Sequence, residues 1–339
     1  MTNSNSKVTR RQVLNGALGV AGAAVLCAPA IARAQTPTVF RIATTEAIGS
    51  PMTVHFDKAA DLIRDRSEGS ITVEHYPAGQ LGSVSQLLQN NRIGSVPCTS
   101  LGFDVEGELC PEITALALGF LIRSSEHLDK IMGGDLGQEL SDAVLKRTGV
   151  EYTTYGERGY HNILSTRKVE TLEELQGLKI RTPESDITLN LWKNLGASPT
   201  PLSYVEQYNA LSTGLIEGMS ADPEPVKGYK WYEIAKHYAM SRHWYLLKAV
   251  RMNGKWINSL PQEKQDIIRS SLREAFAGQR QVARESYFQT LEELKAQGVE
   301  INEIADIDAW HQKNMPVIEA YVEKYPSSKD IVEKVQSLA

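Results

Sequence analysis

Arg181 stands in Gly177-Leu178-Lys179-Ile180-Arg181-Thr182-Pro183-Glu184-Ser185, an apolar, strand-like run that stops at a Thr-Pro pair. A guanidinium is planar and always charged, and it donates two parallel hydrogen bonds to a carboxylate where an ammonium does not. In this setting it is either a surface ion-pair partner or the anchor for a carboxylated molecule. The other reactive residue types offer no competing pattern. The seven histidines form no HExxH and no close ligand pair, and single ones such as His75 and His127 read as surface or hydrogen-bonded side chains. Gly218-Met219-Ser220-Ala221-Asp222 lacks the second glycine of a nucleophile elbow. There is no glycine-rich phosphate loop, no dinucleotide fingerprint and no pair of carboxylates that singles itself out as acid and base. Cys98 and Cys110 match no zinc spacing, and they either pair or stay as two buried thiols. No cofactor, metal or enzymatic activity is expected.

The elements around Arg181 explain its position. Thr171-Leu172-Glu173-Glu174 is a capping-box start in which hydroxyl and carboxylate satisfy free amides of a first helical turn, and Gly177 closes that turn. The strand Leu178 to Arg181 follows. Pro183 disfavours helix at Thr182, so the chain turns directly after the arginine and enters a helix from about Ser185 to Asn194. Arg181 is therefore at a strand end, where open α/β sheets bind ligands. The rest of the chain alternates in the same way. Val39 to Ala43 reads as a strand, Met52 to Arg66 as an amphipathic helix, Ile71 to Tyr76 as a half-buried strand and Val84 to Ile93 as a helix. Gln262 to Gln297 carries helical spacing over a length that predicts a bend or a span across two bodies. The fold class is α/β.

Residues 1–34 combine Thr9-Arg10-Arg11-Gln12-Val13-Leu14, a Gly/Ala-rich apolar run and Ala32-Arg33-Ala34, which reads as a twin-arginine export signal. Removing them takes away Lys7, Arg10, Arg11 and Arg33 and no acid, so the formal charge moves from −5 to −9. That balance offers no basic patch for nucleic acid. A periplasmic location is expected.

Five stretches occur in one order: Tyr76-Pro77-Ala78-Gly79-Gln80-Leu81-Gly82, Gly177 to Arg181, Gly196-Ala197-Ser198-Pro199-Thr200-Pro201, Gly214-Leu215-Ile216-Glu217-Gly218 and Tyr229-Lys230-Trp231-Tyr232-Glu233. In this the chain resembles the periplasmic solute-binding proteins of TRAP transporters, the DctP-type family, from about Val39 to its C-terminus. The resemblance implies a periplasmic-binding-protein-like fold of two α/β lobes joined by crossing strands and a long C-terminal helix. The expected division is 35–158 with 247–286, and 159–246 with 287–339. It also implies a monomer that closes on a small organic acid and delivers it to the membrane subunits of a sodium-driven permease.

In that family the arginine of the Lys-Ile-Arg motif clamps the ligand carboxylate, and here it is Arg181. Tyr204 matches an aromatic that packs on the ligand, Glu46 a polar contact after the first strand, and Phe103 and Trp244 fall in cleft-lining segments. Three departures stand out. His161, with Arg158 close by, occupies the place of a usual second arginine. Ala221 replaces an asparagine that touches the ligand, with Ser220 or Asp222 as substitutes. Gly102 stands where some sialic-acid-binding relatives carry a glutamate. These point to a monocarboxylate, aromatic or sugar-derived, rather than a C4-dicarboxylate or sialic acid. The competing readings are another class of periplasmic receptor and a secreted hydrolase with an unrecognised site.

Overall fold

The computed structural model describes residues 38–203 and 206–339. The expected export signal and Tyr204 lie outside the described residues. The strands are β1 (Thr38–Ala43), β2 (Ile71–Tyr76), β3 (Cys98–Gly102), β4 (Val150–Ser165), β5 (Lys179–Thr182), β6 (Ser198–Pro201), β7 (Gly218–Ala221), β8 (His237–Asn253) and β9 (Glu300–Glu303). They lie in the order β2-β1-β3-β8-β4-β7-β5-β6, with β9 added to β8. β1 runs parallel to β2 and β3, as the crossover helices Pro51–Arg66 and Val84–Ile93 require. β5 runs parallel to β6 and β7.

Two long antiparallel strands carry the sheet from one half to the other. At one end β8 pairs with β3 through Lys248–Met252, and at the other β4 pairs with β7 and β8 with β9. The β4–β8 register slips between Tyr152 and Thr154, between Glu157 and Gly159, and between His161 and Ile163. Arg158 is the residue skipped at the second slip. At the third, pairing jumps from His161↔Trp244 to Ile163↔Ala239, so Asn162 alone faces Met240–His243. Such bulges bend a strand and re-aim its side chains. Asn162 is fully buried and holds this one: its Oδ1 accepts from the Arg242 amide (2.9 Å), and its Nδ2 donates to the Tyr287 (2.6 Å) and Tyr238 (3.2 Å) hydroxyls.

Each half has its own apolar core. Phe40, Ile42, Phe56, Ile268 and Phe276 pack in the first, and Met219, Val226, Trp231, Tyr238 and Leu294 in the second. The helix Gln262–Ala296 runs between them, about 50 Å long at 1.5 Å per residue. Its Phe276 meets Phe56 edge-on at 4.8 Å, Gln279 bonds both backbone groups of Glu157 (2.8 and 2.9 Å), and Leu291 and Leu294 enter the second core. It therefore spans both halves, as its length predicted. The capping box at Thr171 and Glu174 is formed, and Gly177 adopts a φ of +68°. Cys98 and Cys110 are unpaired and buried in separate cores.

Candidate ligand-binding cleft

Where the strands cross, a cavity of about 1440 Å³ opens between the two halves of the sheet. Six of the expected residues line it: Glu46, Arg158, His161, Arg181, Asp222 and Trp244. Arg181 comes from β5, where Ile180 turns into the core and the arginine turns to the cavity. Arg181 is 6% exposed, and its Nε (3.0 Å) and Nη2 (2.8 Å) both donate to the Leu202 carbonyl. Those two bonds fix the plane of the fork before any ligand arrives.

Arg158 and His161 project from the bulged part of β4. The Arg158 Nε lies 3.0 Å from Asp222 Oδ2, and Nη2 reaches Asp222 Oδ2 (2.9 Å), Asp222 Oδ1 (3.2 Å) and Glu224 Oε2 (2.7 Å). It is thus tied to two carboxylates and acts first as a brace between β4 and the segment after β7. Burial alone pushes the Asp222 carboxyl up, but the Arg158 charge and His161 hold it below the ordinary value. Glu224 is raised, chiefly by burial and against the pull of Arg158. Burial lowers His161, with Asp222 opposing, and the charges of Arg158 and Arg181 lower it further. The balance favours the neutral imidazole. Trp244 packs edge-on against it, with ring centroids 4.9 Å apart.

The opposite wall belongs to β1, β3 and the C-terminal half of β8. Glu46 is 3% exposed in the loop after β1. The Tyr76–Gly82 turn clamps this loop: the Ala78 amide donates to the Glu46 carbonyl (2.8 Å) and the Gly79 amide to that of Thr44 (2.9 Å). The Lys248 Nζ lies 3.2 Å from Glu46 Oε1, an ion pair without hydrogen-bond alignment, and neither carboxylate oxygen accepts a hydrogen bond. Asp104 joins them in the cavity wall, raised by burial against the pull of Lys248. A Cβ built on Gly102 would sit 2.2 Å from Asp104 Oδ1, so the glycine is what lets Asp104 fold back into the cleft. Lys248 and Asp104 escaped the sequence reading. A lysine interrupting the apolar strand Tyr245-Leu246-Leu247-Lys248-Ala249-Val250 was the available signal.

Two expected positions do not face the cavity. Phe103 lies in a core with Leu116 and Leu128, its ring 5.5 Å from Tyr152, because β3 ends at Gly102 and a helical turn redirects the chain. Ala221 alternates with Met219 on the core face of β7, and its carbonyl accepts from the Tyr238 hydroxyl (2.9 Å). Asp222, one residue on, takes the place at the cavity.

Ser220, His161 and Asp222 superficially resemble a nucleophilic triad. In such a triad the carboxylate holds Nδ1, the hydroxyl meets Nε2, and the hydroxyl faces the substrate. Here Ser220 Oγ meets Nδ1 (2.9 Å), Asp222 Oδ1 stands 3.5 Å from Nε2, and Ser220 is 3% exposed behind the histidine rather than in the cavity lining. Among the described residues no group of three or more His, Cys, Asp or Glu is arranged to hold a metal ion. No helix among them is long and apolar enough to cross a membrane.

Sheet halves joined by two crossing strands and one long helix, with a cleft between them that Arg181 lines, form the architecture of a two-lobed periplasmic solute receptor. The chain belongs to the bacterial extracellular solute-binding protein family 7, DctP, which it matches over residues 42–324. It is 28% identical over 320 residues to a solute-binding protein of Sulfitobacter sp. NAS-14.1, covering 94% of this chain and 97% of the relative. It is 28% identical over 285 residues to the 2,3-diketo-L-gulonate-binding periplasmic protein of Escherichia coli K12, covering 83% and 86%. A solved TRAP periplasmic solute-binding protein of Sulfitobacter sp. NAS-14.1 with bound α-D-taluronate superposes with a TM-score of 0.82 at 26% identity, covering 88% of this chain and 97% of that one. The family resemblance read from the sequence is thereby borne out.

Proposed function

We propose that the protein is the receptor of a TRAP transporter for a sugar acid, a monocarboxylate bearing several hydroxyls. One observation carries this reading: the Arg181 guanidinium is held in plane in one wall of the cleft, across from a wall built of Glu46, Asp104 and Lys248. The arginine takes the ligand carboxylate in a two-pronged pair. Carboxylate oxygens accept from hydroxyls, so Glu46 and Asp104 read the far end of the molecule. A second carboxylate there would meet like charge, which disfavours dicarboxylates. The charged side chains Glu46, Asp104, Lys248 and Arg158 in the lining favour the sugar-derived over the aromatic acid, while Trp244 offers an apolar ring. The solved relative holds a taluronate, and the curated one is a binder of 2,3-diketo-L-gulonate, both acids of this kind.

The protein acts as a periplasmic monomer, exported by a twin-arginine signal. Ligand contacts to both lobes, 35–158 with 247–286 and 159–246 with 287–339, stabilise the closed form. That form hands the acid to a sodium-driven permease, and no bond is made or broken. Mass spectrometry of what copurifies, with a thermal-shift panel of uronates, aldonates, dicarboxylates and neutral sugars, tests the reading. Sugar acids are expected to raise the melting temperature. A response to neutral sugars or to dicarboxylates alone would overturn it.

A further inference from the structure

Behind the cleft a chain of buried polar side chains ends on His161. Ser241 Oγ lies 2.8 Å from His243 Nδ1, His243 Nε2 lies 2.8 Å from Ser220 Oγ, and Ser220 Oγ lies 2.9 Å from His161 Nδ1. All four residues are at least nine-tenths buried. The bulge at Met240–His243 turns Ser241 and His243 inward to β7, so the chain exists because of that irregularity. We propose that Ser220, His243 and Ser241 are positioning residues that lock His161 in the Nε2–H tautomer, presenting a neutral hydrogen-bond donor to the ligand. This rests on the cleft being the ligand site.

The argument is proton bookkeeping. With both rings neutral, three arrangements make all three bonds. The one in which Ser220 accepts from both rings leaves its own buried hydroxyl proton without an acceptor, and two remain. In the first, Ser241 donates to His243 Nδ1, His243 Nε2–H to Ser220, and Ser220 to His161 Nδ1, which leaves a proton on His161 Nε2. In the second every bond is reversed and His161 Nε2 is bare. Two features select the first. The reversed chain leaves the Ser241 hydroxyl proton, in a fully buried residue, without an acceptor. It also sets a lone pair 3.5 Å from Asp222 Oδ1, whose negative charge Arg158 sustains. Burial lowers His243 well below the ordinary imidazole range, consistent with a neutral ring.

His161 Nε2 is buried, on a residue that lines the cavity, and has no partner within hydrogen-bond geometry. Asp222 Oδ1 stands 3.5 Å away, near enough for His161 to help lower its carboxyl, but both of its oxygens are engaged by Arg158. The donor is therefore available to a ligand acceptor: a carboxylate, hydroxyl or ring oxygen, and not an ammonium. Where relatives place a charged arginine, this chain supplies one uncharged N–H of fixed polarity.

Long-range proton–nitrogen NMR of the ligand-free protein at about pH 7.5, above the ordinary imidazole range, reads the tautomer directly. A His161→Asn variant assigns the signal. The expected result is a protonated Nε2 and a bare Nδ1. In Ser220→Ala the ring becomes a tautomer mixture, and D-galacturonate affinity by calorimetry falls about tenfold, the worth of one hydrogen bond. Ser220→Thr restores both, and Ser241→Ala shifts the tautomer without touching the cleft. A wild-type His161 carrying its proton on Nδ1 overturns the proposal, as does a weakened Ser220→Ala with an unchanged tautomer. The wild-type spectrum decides even if the variants fold poorly. Failure of every sugar acid to bind would refute the functional reading and leave the tautomer result standing.

Discussion

Replacing Arg158 with methionine keeps most of the stem and removes three hydrogen bonds to Asp222 (2.9 to 3.2 Å) and one to Glu224 (2.7 Å). Asp222, 2% exposed, is left facing the neutral His161 ring at 3.5 Å. A unit charge at about 3 Å in an effective dielectric of about 20 is worth roughly 5 kcal/mol before desolvation is counted. Stripping one partner from a buried pair destabilises by about 3–5 kcal/mol. The Glu224 side chain is a third exposed, so water screens it and it adds little. The expected loss is about 3–4 kcal/mol at pH 7, read from the urea midpoint at constant slope. The pH dependence gives a second handle. Burial raises Asp222, but Arg158 and His161 outweigh it and depress the folded value. A depressed carboxyl stabilises above its unfolded pKa, near 3.9, and that contribution vanishes as pH falls through the folded value. The unfolded chains titrate alike, so the gap between wild type and variant depends on the two folded carboxyls. Burial without Arg158 raises the variant's, and the gap is largest at neutral pH and narrows as pH falls from above the ordinary carboxylate range to the depressed wild-type value. A variant within about 0.5 kcal/mol of wild type, or a gap that stays constant into acid, would refute the brace.

Gly102→Ala places a methyl where Asp104 Oδ1 now lies, at 2.2 Å, and turns that carboxylate out of the cleft. Calorimetry should show a roughly tenfold loss for a polyhydroxylated acid and a smaller one for a carboxylate without hydroxyls. Cys98 and Cys110 are buried thiols, Cys98 raised by burial and Cys110 pushed up to about 12 mainly by burial. Both should resist a thiol reagent in the native protein at about pH 8 and react fully once it is unfolded. Rapid native labelling would contradict their placement.

What the sequence revealed divides along local and non-local lines. The strand-end position of Arg181 was legible because its causes are neighbours: the capping box at Thr171, the left-handed Gly177 and the stop at Pro183. The long helix was legible from its spacing. Ala221 could have been placed correctly from the period-two alternation of β7, since Met219 marks the core face and Ser220 and Asp222 the other. Phe103 follows the end of β3, where alternation no longer applies. Lys248 and Asp104 reach the cleft through pairing of β3 with a strand nearly 150 residues later in the chain, which no local pattern reports. The bulge opposite Asn162 is of the same kind. Its residues look like ordinary strand, and only the register of β4 against β8 shows that His243 turns inward to Ser220.

The most direct test of the central claim compares wild type with Arg181→Met in calorimetric titrations against a hexuronate and its uncharged parent sugar. Wild type should bind the uronate and ignore the parent. The variant should lose about 2–5 kcal/mol of uronate affinity, thirtyfold or more, while remaining folded at the assay temperature with a melting point lowered by the loss of its bonds to the Leu202 carbonyl. Equal uronate binding by both proteins would contradict the account.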